Sequence, residues 1–131
     1  MTAYNLDREC AAAGRAVASA FGKSKDAEKL LPAALAVLRE QGLYALHLYL
    51  RAEKQQNTWE KCRELLNKLL PPEDGAAAPN DEAFLQRLSE NLDALLLARE
   101  ILHKTFEYAR YFAKAGSPAP DAEKEENAHD G

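Results

Sequence analysis

Apolar residues recur along this chain at steps of three and four, the spacing that puts side chains on one face of an α-helix. Leu6, Cys10, Ala13, Val17 and Phe21 form the first such stripe, with Asn5 or Asp7 placed to cap the helix and Gly22 to end it. A polar link follows at Lys23-Ser24-Lys25-Asp26. Leu31, Ala34, Leu35 and Leu38 then define a second helix from about Asp26 to Gln41, bent or restarted at Pro32. Leu43, Leu46, His47 and Leu50 mark a third, running to about Gln55. The second and third meet at Gly42, a residue free to take the left-handed conformation that ends a helix. One helix closes and the next opens with almost no loop, and the rest of the chain is predicted to organise around that corner.

Gln55-Gln56-Asn57-Thr58 reads as a turn in which Asn57 or Thr58 caps a fourth helix, whose buried face is Trp59, Cys62, Leu65, Leu66 and Leu69. Pro71-Pro72 stops it, and Pro71 to Asn80 is predicted to be a loop. Asn80 or Asp81 caps a long tract in which Leu88, Leu92, Leu95, Arg99, Leu102, Phe106, Ala109 and Ala113 alternate steps of four and three. Phe84, Leu85, Leu96, Ile101, Tyr108 and Phe112 add a second apolar edge. Ser89-Glu90-Asn91 is its one break, which favours two helices over one. Residues 116–131 have no apolar periodicity and read as a disordered tail. The expected fold is all-α: a single compact bundle of five to six helices over residues 1–115, followed by a flexible acidic tail over residues 116–131.

Composition agrees with this pattern. Ala, Leu, Glu, Lys and Arg are abundant, whereas Val occurs only at 17 and 37 and Ile only at 101. No apolar run approaches membrane-spanning length and no charged-then-apolar leader opens the chain, so a cytoplasmic protein without a membrane partner is expected. Cys10 and Cys62 fall on buried faces with no metal-type spacing and read as core residues, a disulfide being the alternative. Gly14, among Ala11, Ala12, Ala13, Ala16 and Ala18, makes a slim surface that another helix can approach closely.

The charge divides unevenly. The chain has 17 basic and 21 acidic residues and a net charge of −4. Residues 116–131 take one of the former (Lys124) and five of the latter (Asp121, Glu123, Glu125, Glu126, Asp130), which leaves 16 of each in residues 1–115. A neutral body whose cations gather on one face can still bind a phosphate backbone. The cations fall into groups: Arg8, Arg15, Lys23 and Lys25 near the first helix, Arg51, Lys54, Lys61, Arg63 and Lys68 around the third-to-fourth corner, and Lys104, Arg110 and Lys114 on the last helix.

Catalytic patterns are scarce. No phosphate-binding glycine loop, dinucleotide fingerprint, zinc-protease helix or glycine-framed nucleophile occurs. Glu100-Ile101-Leu102-His103 has the E-x-x-H spacing of di-metal helical bundles but no second copy, so a metal site is not expected. His47 can pair with His103 or sit, partly buried, in a hydrogen bond of its own. These residues support no enzyme, no cofactor and no small-molecule substrate.

Three features resemble the small all-helical subunit of the type III-B CRISPR effector, the Cmr complex. They are the alanine-rich first helix with an early arginine (Arg8 through Val17), the Leu31-Pro32 to Gln41-Gly42-Leu43, Leu46, Leu50 corner, and the last-helix stretch from Glu100 to the close Tyr111-Phe112-Ala113-Lys114-Ala115. The resemblance spans most of residues 6–115. It implies a non-catalytic protein that stacks in copies beside other effector subunits and contacts the backbone of guide RNA and target RNA through Lys and Arg, while base pairing reads sequence. It also makes Leu43, Tyr44 and the small-residue face of the first helix candidates for copy-to-copy contact. The equivalent type III-A subunit is a second reading. A stand-alone helical adaptor whose corner groove holds a partner helix is a third, and a metal-binding bundle a fourth.

Overall fold

A computed structural model describes residues 3–21, 24–72, 75 and 78–115, which form six helices and, among the described residues, no strand. They are α1 (Ala3–Phe21), α2 (Ser24–Gln41), α3 (Leu43–Ala52), α4 (Gln56–Leu69), α5 (Asp81–Ser89) and α6 (Leu92–Lys114). None is long and apolar enough to cross a membrane. The tail expected over 116–131, together with Gly22 and Lys23, lies outside the described residues, as do the side chains of Asn5 and Lys25.

The last helix, rather than the corner, is the hub of the bundle. α6 touches every other helix, most extensively α1 and α2. Its buried face comprises Ala98, Ile101, Leu102, Thr105, Phe106, Ala109 and Ala113. Three of these positions are alanines, so neighbouring helices can come close. The contacts between α1 and α6 advance in the same sense, Asp7 meeting Lys104 and Tyr108, Gly14 meeting Thr105 and Ala109, and Arg15 meeting Phe112. The two helices therefore run parallel. At Gly14 they approach so closely that an added Cβ would stand 2.6 Å from Cβ of Tyr108 and 2.9 Å from the Thr105 carbonyl oxygen. Nearby, the Cys10 thiol (3.7 Å) and the Thr105 hydroxyl (2.8 Å) both donate to the Ile101 carbonyl, which gives two buried polar groups one shared acceptor. The slim face of α1 is thus occupied within the molecule, and Gly14 and Ala18 are unavailable to a second copy.

The corner forms as its spacing predicts. The Gly42 N–H donates to Val37 and Leu38 carbonyls (3.2 and 3.1 Å), and the Gly42 carbonyl accepts the first α3 bond from Leu46 N–H at 3.1 Å. The backbone at Gly42 has φ 101° and ψ −173°, a region open essentially to glycine alone. Arg99 completes the junction from α6, donating to the Arg39 carbonyl at the end of α2 (2.9 Å) and to the Leu38 carbonyl (3.2 Å), which it shares with the Gly42 N–H. Leu43 is 3 % exposed. Its expected role in contact between copies therefore passes to the core, while Tyr44 stays exposed.

Several boundaries differ from the sequence reading. α2 starts at Ser24, absorbing most of the polar link, and runs through Pro32 without a break. Pro32 is exposed while Leu31, Ala34, Leu35 and Leu38 are buried, so packing of one face carries the helix past the missing N–H. Asp7 lies inside α1 rather than capping it. α4 begins at Gln56, and Thr58, expected to cap it, is fully buried. The break at 89–91 is present: Asn91 caps α6 by accepting from Ala94 N–H at 3.1 Å, as Asn80 caps α5 by accepting from Ala83 N–H at 2.8 Å. Cys10 and Cys62 are both free and buried, and burial pushes both thiols up from their ordinary pKa.

Alanine at the two structural glycines should be harmful for opposite reasons. Nothing lies within 4 Å of where the Gly42 Cβ would sit, so Gly42→Ala costs only its backbone conformation, about 1–3 kcal/mol. At Gly14 alanine gains about 1 kcal/mol of helix propensity, yet drives its methyl into α6 backbone and costs more than it gains. Denaturant unfolding of both variants checks this; a Gly14→Ala protein as stable as the parent would refute the close approach.

Candidate nucleic-acid interface

The structure sorts the twelve predicted cations into three sets. Three are engaged with acids. Arg63 Nη1 lies 2.8 Å from Asp81 and ties α4 to the start of α5. Lys68 Nζ lies 2.8 Å from Glu9 on α1, and Lys104 Nζ lies 3.3 Å from Asp7. These pairs are partly exposed and contribute little to stability, but they set where the side chains point. Lys23 and the side chain of Lys25 fall outside the described residues. The other seven, Arg8, Arg15, Arg51, Lys54, Lys61, Arg110 and Lys114, are exposed.

Arg51, Lys54 and Lys61 follow one another around the α3–α4 corner. Arg51 occupies the last turn of α3, where a cation offsets the carbonyl end of the helix. Lys54 has φ 61°, the left-handed region. Its N–H donates to the Arg51 carbonyl at 3.0 Å, and the Gln55 N–H donates to the Leu50 carbonyl at 2.7 Å. That pair of bonds is the Schellman ending, in which glycine is the usual occupant of the left-handed position. The chain keeps a lysine there, at a cost of about 1 kcal/mol. Glu53, Glu60 and Glu64 are also exposed around this corner, so the cations do not form an unbroken positive surface.

The remaining cations lie on α1 and α6. Arg8 and Arg15 are seven residues apart and share a face of α1; the Arg15 guanidinium carbon stands 4.9 Å from the Phe112 ring centroid. On α6, Lys104 and Tyr111 are likewise seven apart, and Tyr111 is 68 % exposed. Arg110 and Lys114 face the other way, lining a shallow groove with Glu28 and Leu31 of α2. Asp7 stands between α1 and α6, accepting from the Tyr108 hydroxyl at 2.8 and 3.0 Å. That hydrogen bond, followed by the one from Lys104, holds the Asp7 carboxyl below the usual range. The cation groups were visible in sequence; the aromatic company of Arg15 was not.

The histidines do not meet. His103 lies 3.8 Å from Glu107 and lines a groove with Leu38, Arg39, Leu96, Arg99 and Glu100. His47 is 2 % exposed on α3, its ring 4.8 Å from Trp59 and 6.1 Å from Tyr44. Contrary to the expected hydrogen-bonded histidine, its Nδ1 has no partner among the described residues; nor do Thr58 Oγ1 and Trp59 Nε1. Among the described residues no three His, Cys, Asp or Glu side chains gather as a metal set, so Glu100 and His103 remain a pair.

A groove of about 600 Å³ opens beside the corner, lined by Gly42, Tyr44, Glu82, Leu85, Leu95 and Arg99 among others. The Tyr44 hydroxyl donates to Glu82 at 2.7 Å across it. Comparison with known proteins matched no family model, no curated protein and no solved structure.

His47 gives the chain an acid-sensitive point. Burial lowers its pKa from 6.5, opposed by Asp81, reinforced by Arg51 and opposed again by Glu82. The unfolded chain therefore takes up a proton that the folded chain refuses, so stability is full above pH 6.5 and drains as pH falls below it. Unfolding followed through Trp59 fluorescence between pH 7 and 5 should show this loss, and His47→Phe should flatten it. An unchanged slope in the variant would place the sensitivity elsewhere.

Proposed function

We propose that this protein is a non-catalytic small subunit of a type III-B CRISPR ribonucleoprotein, Cmr-like, holding the backbone of the guide–target RNA duplex through surface cations. One observation carries the reading. The quoted corner, Leu31-Pro32 through Gly42-Leu43 to Leu50, folds as one helix–glycine–helix unit and leads straight into Arg51 and Lys54. Lysine in a left-handed position, where glycine would be less strained, supports a demand for charge at that point rather than for stability. Each phosphate contact is weak, as suits a body whose charges balance, and repetition of the subunit along one duplex multiplies it. The type III-A counterpart shares the argument. The adaptor reading draws on the groove beside Tyr44 and Leu95, which has the depth to seat a partner side chain.

Arg63 is spared in the test, because its reversal would set two acids against each other at Asp81. With Arg51, Lys54 and Lys61 all changed to Glu, the salt dependence of duplex RNA binding should flatten by roughly two in log–log slope, and incorporation into the reconstituted ribonucleoprotein should fall. Lys54→Gly alone should leave the fold as stable as the parent or more stable, by up to about 1 kcal/mol, while weakening RNA binding. Unaltered RNA binding and assembly in the triple variant would overturn the proposal.

A further inference from the structure

We infer that the outer face shared by α1 and α6 is a stacking site for an unpaired RNA nucleotide, with Tyr111 as the platform and Arg8 and Arg15 holding the flanking phosphates. The inference rests on the RNA-binding reading above and adds the strand state: this face takes single-stranded RNA, the α3–α4 corner takes duplex.

Tyr111 carries it. Its ring is 68 % exposed on a helix whose other face is buried in the core, so it is held on a rigid support and fills no space in the fold. Lys104, one heptad earlier, shares its face. Across the α1–α6 seam, Arg15 lies against the neighbouring Phe112 ring, and Arg8, one heptad earlier, shares its face of α1. The acid at the seam, Asp7, is already engaged by Tyr108 and Lys104 and presents little free charge to repel phosphate. Glu107, one turn before Tyr111, borders this face, lying 3.8 Å from His103 and sharing a groove with Leu6 of α1 and with Lys104, the cation beside it. An exposed aromatic ring beside cations is the arrangement by which proteins bind single strands without reading sequence, because every base has a flat face and an unpaired base can leave its stack. A duplex offers no such face along its length. The contrast with the other exposed tyrosine is informative. Tyr44 donates to Glu82, an anion that would oppose phosphate beside the ring.

The test uses the full chain with two labelled RNAs, a short oligoadenylate and a blunt-ended duplex of the same length, titrated by fluorescence anisotropy. Tyr111→Ala should weaken single-strand binding roughly tenfold and leave duplex binding within about twofold. Tyr111→Trp should retain or tighten the single strand. The high exposure of residue 111 means that neither change disturbs packing, and unchanged thermal unfolding verifies this. Equal single-strand affinity in parent and Tyr111→Ala overturns the stacking site while leaving the corner proposal intact. Equal losses for both RNAs also overturn it, since they would assign Tyr111 no preference for strand state. Failure of the parent chain to bind either RNA overturns both readings together.

Discussion

Everything in this bundle depends on how closely α1 can lie against α6. The approach at Gly14 leaves no room for a single methyl group, and it exists because α6 turns Thr105 and Ala109 toward the same spot. A seam this tight brings backbone close to backbone, so its polar groups must be satisfied within it. The Ile101 carbonyl accepting from both Cys10 and Thr105 meets that requirement. The same closeness puts Asp7 within reach of Tyr108 and Lys104 and lays Arg15 along Phe112. Packing chemistry inside the seam thereby decides which charges appear along its rim.

A second constraint acts at the helix ends. α2 ends in an exposed turn, and Arg99 reaches over from α6 to donate to its Leu38 and Arg39 carbonyls. The corner is thus locked to the hub, and the glycine geometry does not have to hold it alone. Arg99 is consumed by this task, as Arg87 is consumed by Asn67, the Leu70 carbonyl and the Phe84 ring. Arginines that look alike in sequence divide into structural donors and surface charges according to whether an orphan carbonyl lies within reach.

That division explains what could and could not be seen in the sequence. The buried stripes were legible because helical period alone determines a face: Cys10, Val17, Leu46, Leu66 and Phe106 all lie where their spacing put them. The corner at Gly42 and the break before Asn91 were legible because glycine conformation and asparagine capping are local chemistry. Where the reading failed, tertiary packing had overridden a local signal. Pro32 does not interrupt α2, because the buried face of that helix is held against α6. Leu43 is buried rather than offered to another copy. Leu92 continues the seam in sequence yet is 67 % exposed, because it opens α6 at the edge of the bundle. Ion pairing is equally non-local: nothing in the spacing of Lys68 foretells Glu9, fifty-nine residues away.

These constraints bear on what kind of work the molecule can do. Nδ1 of His47 and Nε1 of Trp59 lie buried in one aromatic cluster, their rings 4.8 Å apart, with no hydrogen-bond partner among the described residues. Its cations stand on helix ends and outer faces, supported by a rigid core and separated by acids. Under the RNA proposal, such a surface would make many modest contacts along an extended polyanion, and affinity would grow with the number of copies engaged. Lys54 shows the balance most directly. A helix ending that glycine would complete with less strain instead carries an ammonium group, at a bend that also holds Arg51 and Lys61.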